Sequence, residues 1–495
     1  MSARRGLLRW RPGRTAVLAG ALVLAGANAP DASAQTVGRA AAEALEVPPL
    51  RFDPPEPELH EVRGVPVLFL ADPGLPLVSV FARFQGGYGR LGREAYAAGT
   101  ALPTLLRYGG TTALAPDSLD ALLEYFAIQT SFGGGGESVF ASVNTLTEHL
   151  DTALTLWGSM MREPGWDARQ LEVWRGSEVE RVRRRADDPA RLAYSEFNRL
   201  LYGDHPVGWE MSLDDLRPDD VSAARMASVH GRIVCPGNLT LGATGDVTWE
   251  DIAPLLDRML AEWPACGEPL PPSPEPRILR QPGVWIIPRD LEQSVIVMAH
   301  PTDVHLADEP EYYAAQIGNS ILGGGGFSSR ILSRVRTEEG YAYSASSLWT
   351  TPRRFDGIVG AITRTRPENT VPAIRLILEI LDDARHTPPD DEEVGTAVDQ
   401  IVNGFVFNFD SPGQIVARRM FYLAQDLPAD WLERYLAGVQ AVTPESIRSV
   451  FADHLRPDGM SILIVGDPDR IGADDLASLG PVTVLDVDGN PAGSR

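Results

Sequence analysis

Pro236-Gly-Asn-Leu-Thr-Leu-Gly-Ala-Thr-Gly-Asp246 aligns without a gap, at an offset of 221 residues, with Pro457-Asp-Gly-Met-Ser-Ile-Leu-Ile-Val-Gly-Asp467. Each copy is a short apolar run that follows a helix-like segment and ends in Gly-Asp near the close of its half of the chain. Equal placement in two halves marks a duplicated unit, so the fold must be one that is built twice. At 495 residues the chain is too long for one ordinary core and suits two of about 200 residues each. The join falls at Cys266-Gly-Glu-Pro-Leu-Pro-Pro-Ser-Pro-Glu-Pro276, whose prolines favour an extended connector over a helix or a central strand. The expected organisation is a leader at 1–34, an extension at 35–49, half-domains at 50–266 and 280–480, a linker at 267–279 and a tail at 481–495.

Each half mixes strand and helix patterns. Val65-Pro-Val-Leu-Phe-Leu70 and Leu77-Val-Ser-Val-Phe-Ala-Arg-Phe84 read as successive strands across a Pro/Gly turn, and Val284–Ile287 with Ser294–Met298 repeat the arrangement. Leu119, Leu122, Leu123 and Phe126 share one helix face after Pro116-Asp117, as do Ile374, Ile377, Leu378 and Leu381 later. Gly133–Gly136 reads as a flexible turn between a helix and a strand, favoured over a phosphate cradle because no Lys follows it. The fold class is α+β: two homologous half-domains, each a largely antiparallel sheet covered by helices.

Arg4, Arg5, Arg9, Arg11 and Arg14 precede an apolar stretch at Ala16–Gly26 and an Ala32-Ser-Ala34 cleavage-type site, which predicts an exported protein beginning at Gln35. The stretch is shorter than the roughly 20 residues that span a bilayer, so no membrane span is expected after cleavage. Loss of that leader moves the formal charge from −23 to −27. So acidic a chain repels phosphate backbones, and nucleic acid is not an expected partner. Cys235 and Cys266 fit no zinc ribbon or redox motif; an exported pair at this spacing is either a disulfide or two buried thiols.

The second half holds Gly323-Gly-Gly-Gly-Phe-Ser-Ser-Arg-Ile-Leu-Ser-Arg-Val-Arg336-Thr-Glu-Glu-Gly-Tyr-Ala-Tyr343. Gly323, Gly324, Gly325 and Gly326 are expected to form a hinge between a helix with Tyr313, Ile317 and Ile321 and one with Phe327, Ile331 and Val335 at i, i+4, i+8. Arg336 then ends that helix and Tyr343 lies in the next strand. A guanidinium and a phenol so spaced suit a peptide carbonyl. The segment resembles the C-terminal half-domain signature of the insulinase/pitrilysin-type zinc metallopeptidases, where an Arg and a Tyr at this spacing line the substrate chamber opposite the zinc. The resemblance runs from about Val65 to Asp467 and implies their two-half chamber fold.

The same resemblance exposes a gap. The family's first signature is His-x-x-Glu-His on a helix before a Gly-Thr, two His on one face holding zinc and the Glu activating water. Here the matching stretch is Gly99-Thr-Ala-Leu-Pro-Thr-Leu-Leu-Arg-Tyr-Gly-Gly-Thr111, with Ala101 and Leu105 at the His positions and Thr104 at the base. The third ligand, counted back from Asp187-Asp188-Pro189, falls on Arg181, and its supporting carboxylate on Trp174; a shift by one puts Glu180 there. No two of the eight His stand at i, i+4, and the nearest pair, His300 and His305, is read as coincidence, with Glu148-His149 as a solvated helix face. No nucleophile elbow, Walker loop or dinucleotide fingerprint replaces the missing chemistry.

Family chains of this length commonly work in pairs, so the resemblance implies a non-catalytic, exported subunit without metal of its own. It would supply the Arg336/Tyr343 pair and the glycine loop to a zinc-bearing partner that carries His-x-x-Glu-His and cleaves a peptide. The alternative is a scaffold on an inactive fold with no peptidase partner.

Overall fold

A computed structural model describes residues 54–276, 278 and 282–491. The leader and the whole extension lie outside the described residues. From residue 54 onward the chain forms one compact unit containing two six-stranded sheets.

The first sheet consists of β1 (Glu58–Val62), β2 (Val65–Ala71), β3 (Leu77–Gln85), β4 (Gln129–Gly134), β5 (Ser138–Leu146) and β6 (Leu239–Gly245) in the order β1-β2-β6-β3-β5-β4. The second consists of β7 (Gly283–Pro288), β8 (Ser294–Thr302), β9 (Ala342–Trp349), β10 (Gly357–Thr365), β11 (Ser461–Gly466) and β12 (Val482–Val484) in the order β12-β7-β11-β8-β10-β9. Strip the outermost first strand from each and the orders coincide, with the two Gly-Asp repeat strands, β6 and β11, in equivalent places. β6 lies between β2 and β3, and β11 between β7 and β8, each parallel to the first of its neighbours and antiparallel to the second. β2 and β3 are therefore not hairpin neighbours, nor are β7 and β8. Each sheet is mixed but mostly antiparallel.

Helices complete the layers. Those the site depends on are α1 (Tyr96–Tyr108), α2 (Ala168–Arg183), α3 (Pro189–Tyr202), α4 (Pro310–Asn319) and α5 (Pro412–Ala424). Helices of each half bury the inner face of that half's own sheet: Val80, Phe84 and Val143 pack with Leu102 and Leu106 of α1, and Ile296 and Val359 pack with Ile317 of α4.

The opposite faces are covered by exchange. α3 begins at Pro189 behind an Asp188 cap whose carboxylate accepts from Ala190 N and Arg191 N, and it ends at Gly203. Its Leu192, Ala193, Phe197 and Leu201 lie not on the first sheet but on Val295, Val297, Leu463 and Val465 of the second. Its counterpart α5 begins at Pro412 behind a Ser411 capping box and lays Val416 and Met420 on Leu68, Leu70 and Phe81 of the first sheet. Gly242 in β6 permits that approach, since a Cβ there would lie 2.5 Å from Val416 Cγ1. Burial of each such side chain stabilises by about 1.5–3 kcal/mol, which ties the halves together.

Cys235 and Cys266 are joined as a disulfide with a Cα–Cα distance of 5.0 Å. The proline-rich connector forms no helix or strand over its described residues and is pinned: Arg90 donates to the carbonyls of Leu270 and Pro271, and His205 Nε2 stands 3.0 Å from Pro274 O. Gly133 and Gly134 correct the expected turn, for they belong to β4, and it is a strand that precedes β5. Gly133 faces Phe140 across the pair, and its missing side chain leaves room for the ring.

Candidate functional site

Arg336 lies in a π-helical turn, Ser333–Glu338, and Gly340 at φ +65° then reverses the chain into β9, the edge strand of the second sheet. Arg364 pairs with Ser344 but Thr365 pairs with Ala342, leaving Tyr343 as the extra residue of a β-bulge. A bulge re-aims its side chain, and Tyr343 is 77% exposed. The Arg336 guanidinium carbon stands 4.6 Å from the centre of the Tyr343 ring and 5.0 Å from that of Phe327. The structure thus brings the two expected residues together and adds Phe327.

Phe327 corrects the sequence reading. Ile331 and Val335 are fully buried as expected, but Phe327 is 76% exposed in a separate short turn, Gly326–Ser328. Its period matched the core pair, and no local signal marked it as part of the site. Neighbouring arginines are neutralised: Arg330 grips Glu393 with two hydrogen bonds, and Arg334 pairs with Glu379 and Asp383. Arg336 makes no ion pair and no side-chain hydrogen bond among the described residues. Its N–H donors are free for an acceptor from outside.

The glycine run is not the expected hinge throughout. Ser320–Gly324 continues α4 as a π-helical turn, so Gly323 and Gly324 are helical, and the chain breaks only at Gly325 and Gly326. A Cβ on Gly323 would fall 2.1 Å from Ser347 N, so glycine lets the helix end touch β9. Ser347 Oγ donates to Asn319 at the same contact, and Gln400 Nε2 donates to Gly325 O. The strand bearing Tyr343 is held by this contact. A cavity of about 220 Å³ opens beside it, lined by Gly325, Ser328 and Gln400 among others.

The degenerate metal positions lie on two helices in contact, α1 and α2, and their side chains do not fit zinc. Ala101 and Leu105 are 0% exposed within the apolar core, as are Leu102 and Leu106, so a register shift of one residue supplies no ligand. Thr104 points outward. Arg181 brings a cation, bound to Glu178 through Nε at 2.7 Å and again through Nη2. Trp174 is buried in the core, and Glu180 pairs with Arg183 at the surface. His300 and His305 have separate partners: Arg456 N donates to His300 Nε2, whereas His305 pairs with Asp356 at 3.3 Å. Among the described residues no three His, Cys, Asp or Glu stand as a metal-holding group.

Known proteins resemble this chain in sequence and in fold. Residues 220–401 match the family model described as Peptidase M16 inactive domain. A protein of Streptomyces coelicolor named as an uncharacterized zinc protease is 25% identical over 317 residues, 62% of this chain and 66% of that one. A Helicobacter pylori protein named as a non-peptidase homolog is 23% identical over 297 residues, 58% of this chain and 65% of its own. The solved M16 inactive-domain structure from Pseudomonas fluorescens superposes with a TM-score of 0.74 at 23% identity, covering 83% of this chain and 98% of that one. Residues 220–401 thus resemble the M16 inactive domain, and most of the chain shares the fold of a solved M16 inactive-domain protein.

Proposed function

We propose that the chain is the non-catalytic, substrate-binding subunit of an exported heteromeric zinc peptidase, in which Arg336 and Tyr343 hold a peptide carbonyl close to the zinc of a partner subunit. The observation that carries this reading is the Arg336 guanidinium, flanked by two exposed rings and left without a carboxylate. A cation that served only the fold would be expected to pair as Arg330 and Arg334 do. The rings hold the guanidinium plane in place, so binding a carbonyl orders little that is not already ordered. The phenol of Tyr343 offers a second donor beside it.

Support for the division of labour comes from α1 and α2, where the apolar core and the Arg181–Glu178 pair occupy the places of metal ligands. The partner is expected to bring the zinc and the His-x-x-Glu-His helix. Affinity purification of the mature chain from its native host, followed by zinc analysis of the eluate, tests the reading. It predicts a co-eluting chain with His-x-x-Glu-His and about one zinc per pair. Elution of the chain alone and free of zinc would favour a scaffold without a peptidase partner.

A further inference from the structure

Arg83 on β3 is a half-buried cation without a partner. Phe81, Arg83 and Gln85 alternate onto the face of the first sheet that α5 crosses, where Phe81 meets Val416 and Met420 and Gln85 Nε2 donates to Ala424 O. The Arg83 Nε is shut off from solvent with no acceptor, whereas Nη1 and Nη2 keep contact with solvent. None of the three makes a hydrogen bond or an ion pair among the described residues. A cation so placed loses hydration and finds no protein group to replace it.

Its neighbours add to the positive charge. Arg354, in the turn between β9 and β10, donates through Nη2 to the same Ala424 carbonyl as Gln85, at 3.1 Å. Burial first, and then the like charge of Arg354, hold the pKa of Arg83 below the ordinary arginine value. Arg353 is satisfied by the carbonyls of Gln425 and Leu306 and brings no carboxylate. The acidic groups facing Arg354 are Glu137 and Asp426, and neither is close. Glu137 Oε2 lies 4.0 Å from Arg354 Nη1 and accepts from Ser273 Oγ at 3.4 Å; Asp426 Oδ2, on a side chain 87% exposed, lies 3.9 Å from Arg354 Nη2. Phe140, directly across the strand pair from Arg83, is 48% exposed and sets an apolar ring beside the two guanidiniums.

We propose that Arg83 and Arg354 bind a carboxylate of a peptide, on an acidic side chain or at the C-terminus. The Nη atoms of Arg83 that reach solvent supply the first donors and Arg354 Nη1 a further one. Glu137 and Asp426 partly balance Arg354, so the charge left over is about that of Arg83 alone. That suits a singly charged carboxylate better than a doubly charged phosphate, and the Phe140 ring suits an organic anion. The peptide as the source of the carboxylate rests on the reading in which Arg336 holds a peptide carbonyl.

Calorimetric titration of the mature chain with four ligands tests the proposal: acetyl-Ala-Glu-Ala-amide, its neutral Gln counterpart, the Gln peptide with a free C-terminal carboxylate, and propionate. At least one carboxylate-bearing peptide is expected to bind about ten-fold or more tightly than the neutral one, and which of them does so tells side chain from C-terminus. Arg83→Met should abolish that preference and keep or raise the melting temperature, because it removes an unpartnered cation beside Arg354 and breaks no hydrogen bond. Arg336→Ala should weaken all three peptides alike, since each offers a carbonyl, and should leave the preference intact. A preference lost in Arg83→Met with no effect of Arg336→Ala supports this site and faults the carbonyl reading alone. No binding of any peptide would sink both readings. A preference absent in the wild type or unchanged in Arg83→Met, propionate binding as tightly as the better peptide, or a melting temperature lowered by several degrees in Arg83→Met would overturn the assignment.

Discussion

The Arg336 guanidinium and the Tyr343 ring stack 4.6 Å apart at the edge of the second sheet, the tyrosine lifted out of register by a bulge. Phe327 closes the other side at 5.0 Å. Both rings are mostly in water, where a cation–π contact is worth about 0.5–1 kcal/mol. Arg336→Ala, Tyr343→Phe and Phe327→Ala are therefore each expected to change unfolding free energy by no more than about 1 kcal/mol. Urea denaturation of the three variants checks this. A loss well beyond that value would make the cluster a structural device.

Restoring the family ligands at the matching positions should not restore a zinc site. Leu105→His places an imidazole in an apolar core, and Ala101→His adds volume where none is free. Together with Thr104→Glu they are expected to destabilise by about 3–6 kcal/mol from lost packing, overpacking and a buried polar group. Arg181 would still oppose a dication. Thermal melts with and without zinc decide the matter: the expected result is a lowered melting temperature with no zinc-dependent recovery, and tight binding at one equivalent would contradict it.

The exchange of α3 and α5 makes the halves interdependent. Residues 280–480 alone would bare Val295, Val297, Leu463 and Val465, which α3 covers, and residues 50–266 alone would bare Leu68. Either half expressed by itself is expected to aggregate, and coexpression should recover a soluble pair. Phe197→Ala, at the centre of the exchanged contact, should cost about 3–5 kcal/mol in unfolding free energy. Sedimentation of the separate and coexpressed halves, with denaturation of the variant, tests both statements.

Acid should loosen the fold through three histidines. Burial holds the pKa values of His205, His230 and His300 below the ordinary 6.5. With a depressed folded pKa, the unfolded chain takes up protons first as the pH falls. Their contribution is present above about pH 6.5 and is lost as the pH falls through the lower folded values. A melting temperature that declines from pH 7 towards pH 5 is expected, and the slope should lessen in a His230→Gln variant. An unchanged slope in that variant would remove His230 from the account.

What the sequence disclosed was set by how local each signal is. The Gly-Asp repeat strands, the strand runs of each half and the buried Ile331 and Val335 follow from period and spacing within a few residues. Arg336 and Tyr343 were legible because their separation of seven is itself local. Gly323 and Gly133 were misread because glycine there makes room for Ser347 and Phe140, partners that sequence does not place. The exchange of α3 and α5 was hidden for the same reason. A trace of it stood in Ser294-Val-Ile-Val-Met-Ala299, whose unbroken apolar run suits a strand covered on both faces.

Turnover per assembled complex, measured with the zinc-bearing partner for wild type, Arg336→Ala and Tyr343→Phe, tests the central claim most directly. Loss of one hydrogen bond used in the transition state corresponds to about 2–4 kcal/mol, or roughly 30- to 1000-fold in rate. The expected result is normal assembly with turnover lowered by that factor in both variants. Normal assembly with wild-type turnover in both would contradict the substrate-binding role of the pair.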